Sequence, residues 1–79
     1  MDIENFITLF KEQFDFMDDN VVISEETAFR DLEDWDSLVA LSVIAMIDEN
    51  YSVSISGDDI RNSNSIKDLH DLVAERKTK

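Results

Sequence analysis

A chain of 79 residues makes one domain near the lower limit of what a single hydrophobic core holds together, and with no cysteine it gains neither disulfides nor thiolate metal sites. Nineteen acidic residues against seven basic ones give a formal net charge of −12, a field that repels nucleic-acid backbones and anionic lipid surfaces and attracts basic protein surfaces. Hydrophobic residues make up 43% of the chain and recur periodically, which marks a folded acidic domain and not a disordered one.

No run of about 18 apolar residues exists to span a bilayer. The start, Met1-Asp2-Ile3-Glu4, lacks the basic residues and apolar stretch of an export signal, so the cytoplasm is the expected compartment. Proline is absent and Gly57 is the sole glycine, a composition suited to helices joined by irregular loops. With no repeat, low-complexity segment or linker in view, residues 1–79 are expected to form a single free-standing domain, a monomer.

Ile3, Phe6, Ile7, Phe10 and Phe14 fall at three- and four-residue spacing, predicting a helix from about Asp2, its cap, to Phe16. Beyond Met17 the period is lost, and a long connection runs to about Trp35. Within it, Val21-Val22-Ile23 offers an apolar anchor. Ser24 with Glu25, Glu26 and Thr27 resembles a capping box opening one short helical turn, which turns Phe29 and Leu32 inward.

A second helix is predicted from about Ser37 to Asn50, capped by Asp36, with Leu38, Leu41, Ile44, Ala45 and Ile47 as its apolar face. Tyr51, Val53 and Ile55 then alternate. No partner strand is available, so they read as an extended loop pinned to the core. Gly57 to Asn62 can form one helical turn. A last helix begins at Ser65, with Asp68 completing an imperfect capping box, and carries Ile66, Leu69, Leu72 and Val73. Arg76, Lys77 and Lys79 near its end complement the helix dipole. The pattern is an all-α up-and-down bundle with a long first crossover.

Ser37 stands at the start of the second helix, where unpaired N–H groups and the positive end of the dipole favour an attached phosphate. Taken alone, a serine at a first helical position is ordinary. One histidine and no cysteine supply neither a nucleophile–base pair nor a metal-ligand set, so no catalytic activity of the chain's own is expected. His70 reads as an outward residue without a catalytic role. The acidic group Asp31, Glu33, Asp34 and Asp36 lacks the alternating ligands, glycine and terminal glutamate of a calcium loop, and reads as solvated surface, not a metal site.

Asp36-Ser37-Leu38, followed by Leu41, Ile44, Ile47, Tyr51 and Ile55, resembles the phosphopantetheine attachment region of acyl carrier proteins. The similarity runs without gaps through Ile55-Ser56-Gly57-Asp58-Asp59 to Ser65-Ile66 and covers nearly the whole chain. It implies a four-helix acyl-carrier-type bundle with a long first loop and a short third helix. It also implies a 4′-phosphopantetheine arm, transferred from coenzyme A to Ser37 by a phosphopantetheinyl transferase (holo-acyl-carrier-protein synthase). The thiol of that arm holds acyl groups as thioesters, so the working sulfur is imported.

Acyl-loading and acyl-processing enzymes are the other implied partners. Asp36 is expected to meet a basic residue of the synthase. Leu38, Val39, Ser42, Ala45, Asp48 and Glu49 extend the implied partner surface along the second helix. The implied acyl pocket lies between the second and third helices, with Ala40, Ile47 and Ile60 at its entrance. Trp35 reads as a loop aromatic packed on the core, with shielding of the attachment site as the alternative. Asp34 stands where relatives often have glycine, and Val39 and Ser42 stand where many have acidic groups. The departure at Asp34 points away from ordinary fatty-acid synthesis, and those at Val39 and Ser42 towards a more apolar recognition surface; fatty-acid, polyketide and related specialised biosynthesis all stay open as the pathway. The alternative from another class is an unmodified acidic helical module that binds a basic protein through the same surface.

Overall fold

A computed structural model describes residues 2–14, 23–32 and 35–77. The expectations that rest on Phe16, Met17, Val21, Val22, Glu33, Asp34 and Lys79 lie outside those residues. Four α-helices follow in chain order: α1 (Ile3–Lys11), α2 (Ser37–Tyr51), α3 (Gly57–Arg61) and α4 (Ile66–Lys77), with a 3₁₀ turn at Phe29–Asp31. The described residues contain no strand, and none of their helices is long and apolar enough to cross a membrane.

Asp2 caps α1 as expected, its carboxylate accepting from the backbone N–H of Glu4 at 3.0 Å. The helix is shorter than its periodicity predicts. After Lys11 it tightens into three-residue turns, Gln13 N–H to Phe10 O and Phe14 N–H to Lys11 O, each 3.1 Å. Phe14 is buried from this turn, not from a helix running on to Phe16.

The Ser24–Thr27 segment does not open a helix. Ser24 N–H donates to the Thr27 hydroxyl at 2.9 Å, and Thr27 N–H returns to Ser24 O at 3.1 Å. The reason lies in α4: the carbonyls of Glu25 and Thr27 accept from Lys67 N–H at 2.8 Å and Ile66 N–H at 3.2 Å. Those carbonyls satisfy first-turn donors of α4 that have no intrahelical acceptor, and are therefore lost to a local helix. Helical backbone appears only at Phe29, which is fully buried, while Leu32 packs at the edge of the core.

The inward face of α2 differs from the expected one. Val43, Met46, Ile47 and Tyr51 are buried, with Val39, Ala40 and Ile44 packed beside them. Leu38 and Leu41 are 73% and 62% exposed, and Ala45 faces solvent too. The helix is apolar on two sides, and only the 39–43–46–47 side meets α1 and α4. It ends at Ser52, a left-handed residue with φ 57°. Lys77 Nζ donates to Tyr51 O at 3.1 Å, so the basic end of α4 also serves the C-terminus of α2.

Tyr51, Val53 and Ile55 are all buried, the pinned extended loop that was expected. The α3 turn carries a full capping box that the sequence reading missed: Ser56 N–H donates to Asp59 Oδ2 at 2.8 Å, and Asp59 N–H to Ser56 Oγ at 3.3 Å. Arg76 clamps the same carboxylate with two bonds, of 2.6 and 2.8 Å, joining α4 to α3. The box at Ser65 is offset by one residue. Asp68 N–H donates to Ser65 Oγ at 3.2 Å, but the Asp68 carboxylate accepts from Asn64 N–H at 3.1 Å.

His70 is not outward. Its ring is largely buried and meets Phe6 edge-on at 5.7 Å. Trp35 joins an aromatic cluster as expected, stacked on Phe10 at 6.1 Å and edge-on to Phe29 at 5.0 Å. Such ring pairs each add about 0.5–1.5 kcal/mol beyond the area they bury.

Candidate functional site

Three elements converge at Ser37. Asp36 is in extended backbone, and its carboxylate accepts from Val39 N–H at 2.8 Å while its carbonyl accepts from Ala40 N–H at 3.0 Å. That cap starts α2 at Ser37 and leaves the serine exposed at the first helical position, with its hydroxyl not needed to hold the helix. First-turn N–H groups and the dipole's positive end point toward the same place.

Beside the serine lies an open groove of about 300 Å³. Trp35, Asp36, Ser37 and Ala40 form one wall, Gly57, Ile60 and Arg61 of α3 the other, and Arg30 reaches it from the 3₁₀ turn. Ala40 and Ile60 thus meet across the gap between α2 and α3. Ile47 does not line it; it is fully buried in the core. Trp35 packs in the aromatic cluster, as expected, and also lines the groove.

Gly57 lines the α3 side of this groove. Its φ is not in the left-handed region, so the conformation does not demand glycine. A Cβ there would meet Arg61 Nη1 at 3.7 Å, an ordinary contact, so crowding does not demand it either. An exposed hydroxyl, a helix start that favours a phosphodiester and an open groove beside them fit a phosphopantetheine group.

Among the other expected site residues, Leu38, Ala45, Asp48 and Glu49 are exposed on α2. Leu41 belongs to the same stripe. It was assigned to the core because an outward leucine and an inward one look alike in sequence. Val39 is half-buried against the core, and Ser42 is half-buried beside a second hollow that Ala45 and Glu49 share with Leu9 and Glu12 of the α1 end. Among the described residues, no three potential metal ligands converge.

A four-helix bundle with a long first connection, a short α3 and an exposed serine opening α2 has the architecture of a carrier domain. The family described as "Phosphopantetheine attachment site" matches residues 5–73, and the chain belongs to it. The chain is similar to the holo acyl carrier protein of Geobacter metallireducens, solved by solution NMR, with 26% identity and a TM-score of 0.75. That similarity covers 96% of this chain and 85% of the other. No curated protein sequence matches significantly. The protein is therefore a carrier of the acyl-carrier type, and its cofactor is a covalently attached phosphopantetheine.

Proposed function

We propose that Ser37 is the attachment residue and that the protein holds acyl intermediates as thioesters for the enzymes of a biosynthetic pathway. The observation that carries this is the exposed serine at the first position of α2, which is capped by a different residue and lines an open groove between α2 and α3. The serines that open the other helices are engaged as caps: Ser56 and Ser65 accept from the amides of Asp59 and Asp68. When bound, the arm supplies the thiol on which cargo is carried. The chain's own part is to present the arm and to be recognised.

Recognition is assigned to the transferase, through Asp36, and to acyl-loading and acyl-processing enzymes, through the exposed stripe of α2. Leu38, Ala45, Asp48 and Glu49 lie on that stripe, and Leu41 extends it. Val39 and Ser42 stand where many relatives have acidic groups, which favours a more apolar recognition surface, and the pathway served is fatty-acid, polyketide or related specialised biosynthesis. A cytoplasmic monomer without catalytic activity suits this role.

The test is incubation with coenzyme A, Mg²⁺ and a broad-specificity phosphopantetheinyl transferase, followed by intact-mass measurement. The wild type gains one arm, Ser37→Ala gains none, and the Ser37→Ala fold survives because Asp36 is the cap. A wild type left unmodified by several transferases would return the chain to the alternative of an unmodified interaction module.

A further inference from the structure

We propose that the hollow between the end of α1 and the exposed stripe of α2 receives an arginine side chain of an acyl-processing enzyme, so that the partner's footprint straddles both helices. The inference rests on the carrier reading and gives its recognition stripe a second wall. Leu38, Leu41, Ala45 and Glu49 follow one another at three- and four-residue spacing, so one exposed stripe runs down α2 from beside Ser37. Its far half, Ala45 and Glu49, is also a wall of the hollow, about 12–18 Å along the helix from Ser37. Leu9, Glu12 and Gln13, from the end of α1 and the turn after it, form the other wall. An enzyme that covers the two exposed leucines near the attachment serine is led along this stripe to α1.

The hollow has a volume of about 420 Å³, and none of the described residues lining it is basic. Each wall brings one carboxylate, Glu12 and Glu49, and neither side chain forms a hydrogen bond or ion pair among the described residues. Asp58, Asp59 and Asp71, in contrast, are paired within the fold, with Arg61, Arg76 and Lys67. Two amides add further acceptors. Gln13 Nε2 donates to Leu9 O at 3.0 Å and Asn50 Nδ2 to Met46 O at 2.9 Å, so each nitrogen is committed to its own backbone and each side-chain oxygen is left over. Because both acceptors are carbonyls, the two ends of each amide are fixed. Leu9, Ala45 and Met46 supply apolar surface among these oxygens. Such a lining matches an arginine, whose planar fork has five donors to share between two carboxylates while its stem lies on carbon. The cation comes from a partner enzyme and not from a second copy of this chain. A copy brings the same net charge of −12, and its Arg30, Arg61, Lys67, Arg76 and Lys77 already bond within their own fold.

The experiment has two parts, both on holo protein whose single arm is first verified by mass. In low salt, backbone amide resonances are followed while N-acetyl-arginine amide is added, and again with its neutral citrulline analogue. Arginine should shift the amides of Glu12, Gln13, Ala45 and Glu49 together, and the citrulline analogue should not. Glu12→Gln with Glu49→Gln should weaken that response about fivefold or more. Equal shifts at Asp68 and Glu75 on α4 would show a diffuse cation atmosphere only and overturn the site. The second part measures turnover by the cognate acyl-processing enzyme. The same double variant should raise KM about tenfold with kcat unchanged, while Glu4→Gln with Glu26→Gln, an equal change of net charge on exposed residues away from the hollow, should leave KM within about twofold. Circular dichroism confirms that each variant is folded. A KM raised alike by both pairs would assign the effect to long-range attraction, and a KM raised by neither would show that the enzyme does not reach α1; either result overturns the proposal. A wild type that never gains the arm overturns the carrier reading and this docking with it, an outcome distinct from the others.

Discussion

Asp59 holds α3 in place, and removing its side chain should be felt well beyond one short turn. Its carboxylate accepts from Ser56 N–H and from the Ser56 hydroxyl, and takes both bonds of the Arg76 clamp. Five residues are too few for a helix to stand alone, so α3 depends on these bonds and on Ile60, which is 3% exposed. Asp59→Ala leaves the Ser56 cap in place but forfeits the reciprocal bond to the Ser56 amide, worth about 0.5–1.5 kcal/mol net, and a partly exposed ion pair worth about 0.2–1 kcal/mol. A loss of about 1–2 kcal/mol corresponds to a melting temperature lower by roughly 5–15 °C in a domain of this size. Thermal unfolding followed by circular dichroism at neutral pH measures it.

Asp59→Asn should fall between, since its amide oxygen still accepts from Ser56 while the charge is gone. The Arg76 bonds, and then the Ser56 amide, hold the Asp59 carboxyl below its ordinary pKa of 3.8, with burial opposing them. A lowered folded pKa contributes stability that is complete above the ordinary value and lost as pH falls through the lowered one. The wild type and Asp59→Asn should therefore melt at a constant separation from about pH 5 to 8 and converge below about pH 4. Equal melting points at neutral pH, or a gap unchanged in strong acid, would refute this account of Asp59.

Ser52→Gly should stabilise the protein by about 0.5–1 kcal/mol, because a left-handed residue with a side chain costs about 1–2 kcal/mol and the freedom of an unfolded glycine returns part of that. A denaturant midpoint that is unchanged or lower would count against it. Leu38→Asp and Leu41→Asp should shift stability by no more than about 0.5 kcal/mol, as exposed substitutions do, while slowing turnover by partner enzymes. Early melting would contradict their exposure, and unchanged turnover with the cognate enzymes would remove them from the recognition surface. Raising salt from very low levels should raise the melting temperature, with Mg²⁺ effective at lower concentration than Na⁺, because nineteen acidic side chains repel one another on folding. A flat response would show that repulsion does not limit this fold.

What the sequence made legible was local. The caps at Asp2 and Asp36 and the pinned Tyr51–Ile55 loop all depend on residues within a few positions of one another or on simple periodicity. The capping box at Ser56 is equally local, with Asp59 at the spacing that Asp68 has from Ser65, and the sequence carried the signal for it. The orientation of α2 was not legible, since Leu38 and Leu41 carry as strong an apolar signal as Val43 and Met46, and periodicity cannot say which stripe is covered. Long-range pairs were invisible. Arg76 and Asp59 are 17 positions apart, and Lys77 and Tyr51 are 26 apart. Read locally, those cations only complement a dipole. At the site, the helix start around Ser37 could be read from three residues. The groove could not, because Arg30, Ala40 and Gly57 come together only through the packing of α3 against α2.

The two carbonyls that close the first turn of α4 bear on the order in which the chain assembles. Ile66 and Lys67 lie roughly forty positions beyond Thr27 and Glu25, the residues whose oxygens they bond. The hydrogen bonds of α1 and α2 join near neighbours, but this junction must close a loop of about half the chain before its bonds give anything back. The amides of Ile66 and Lys67 therefore belong with the last structure to form and the first to open. Their hydrogen exchange should respond to undocking of the 23–32 segment while the amides in the middle of α2 remain protected. That segment carries Arg30 and leads into Trp35, so its undocking would also take one side of the groove away from Ser37.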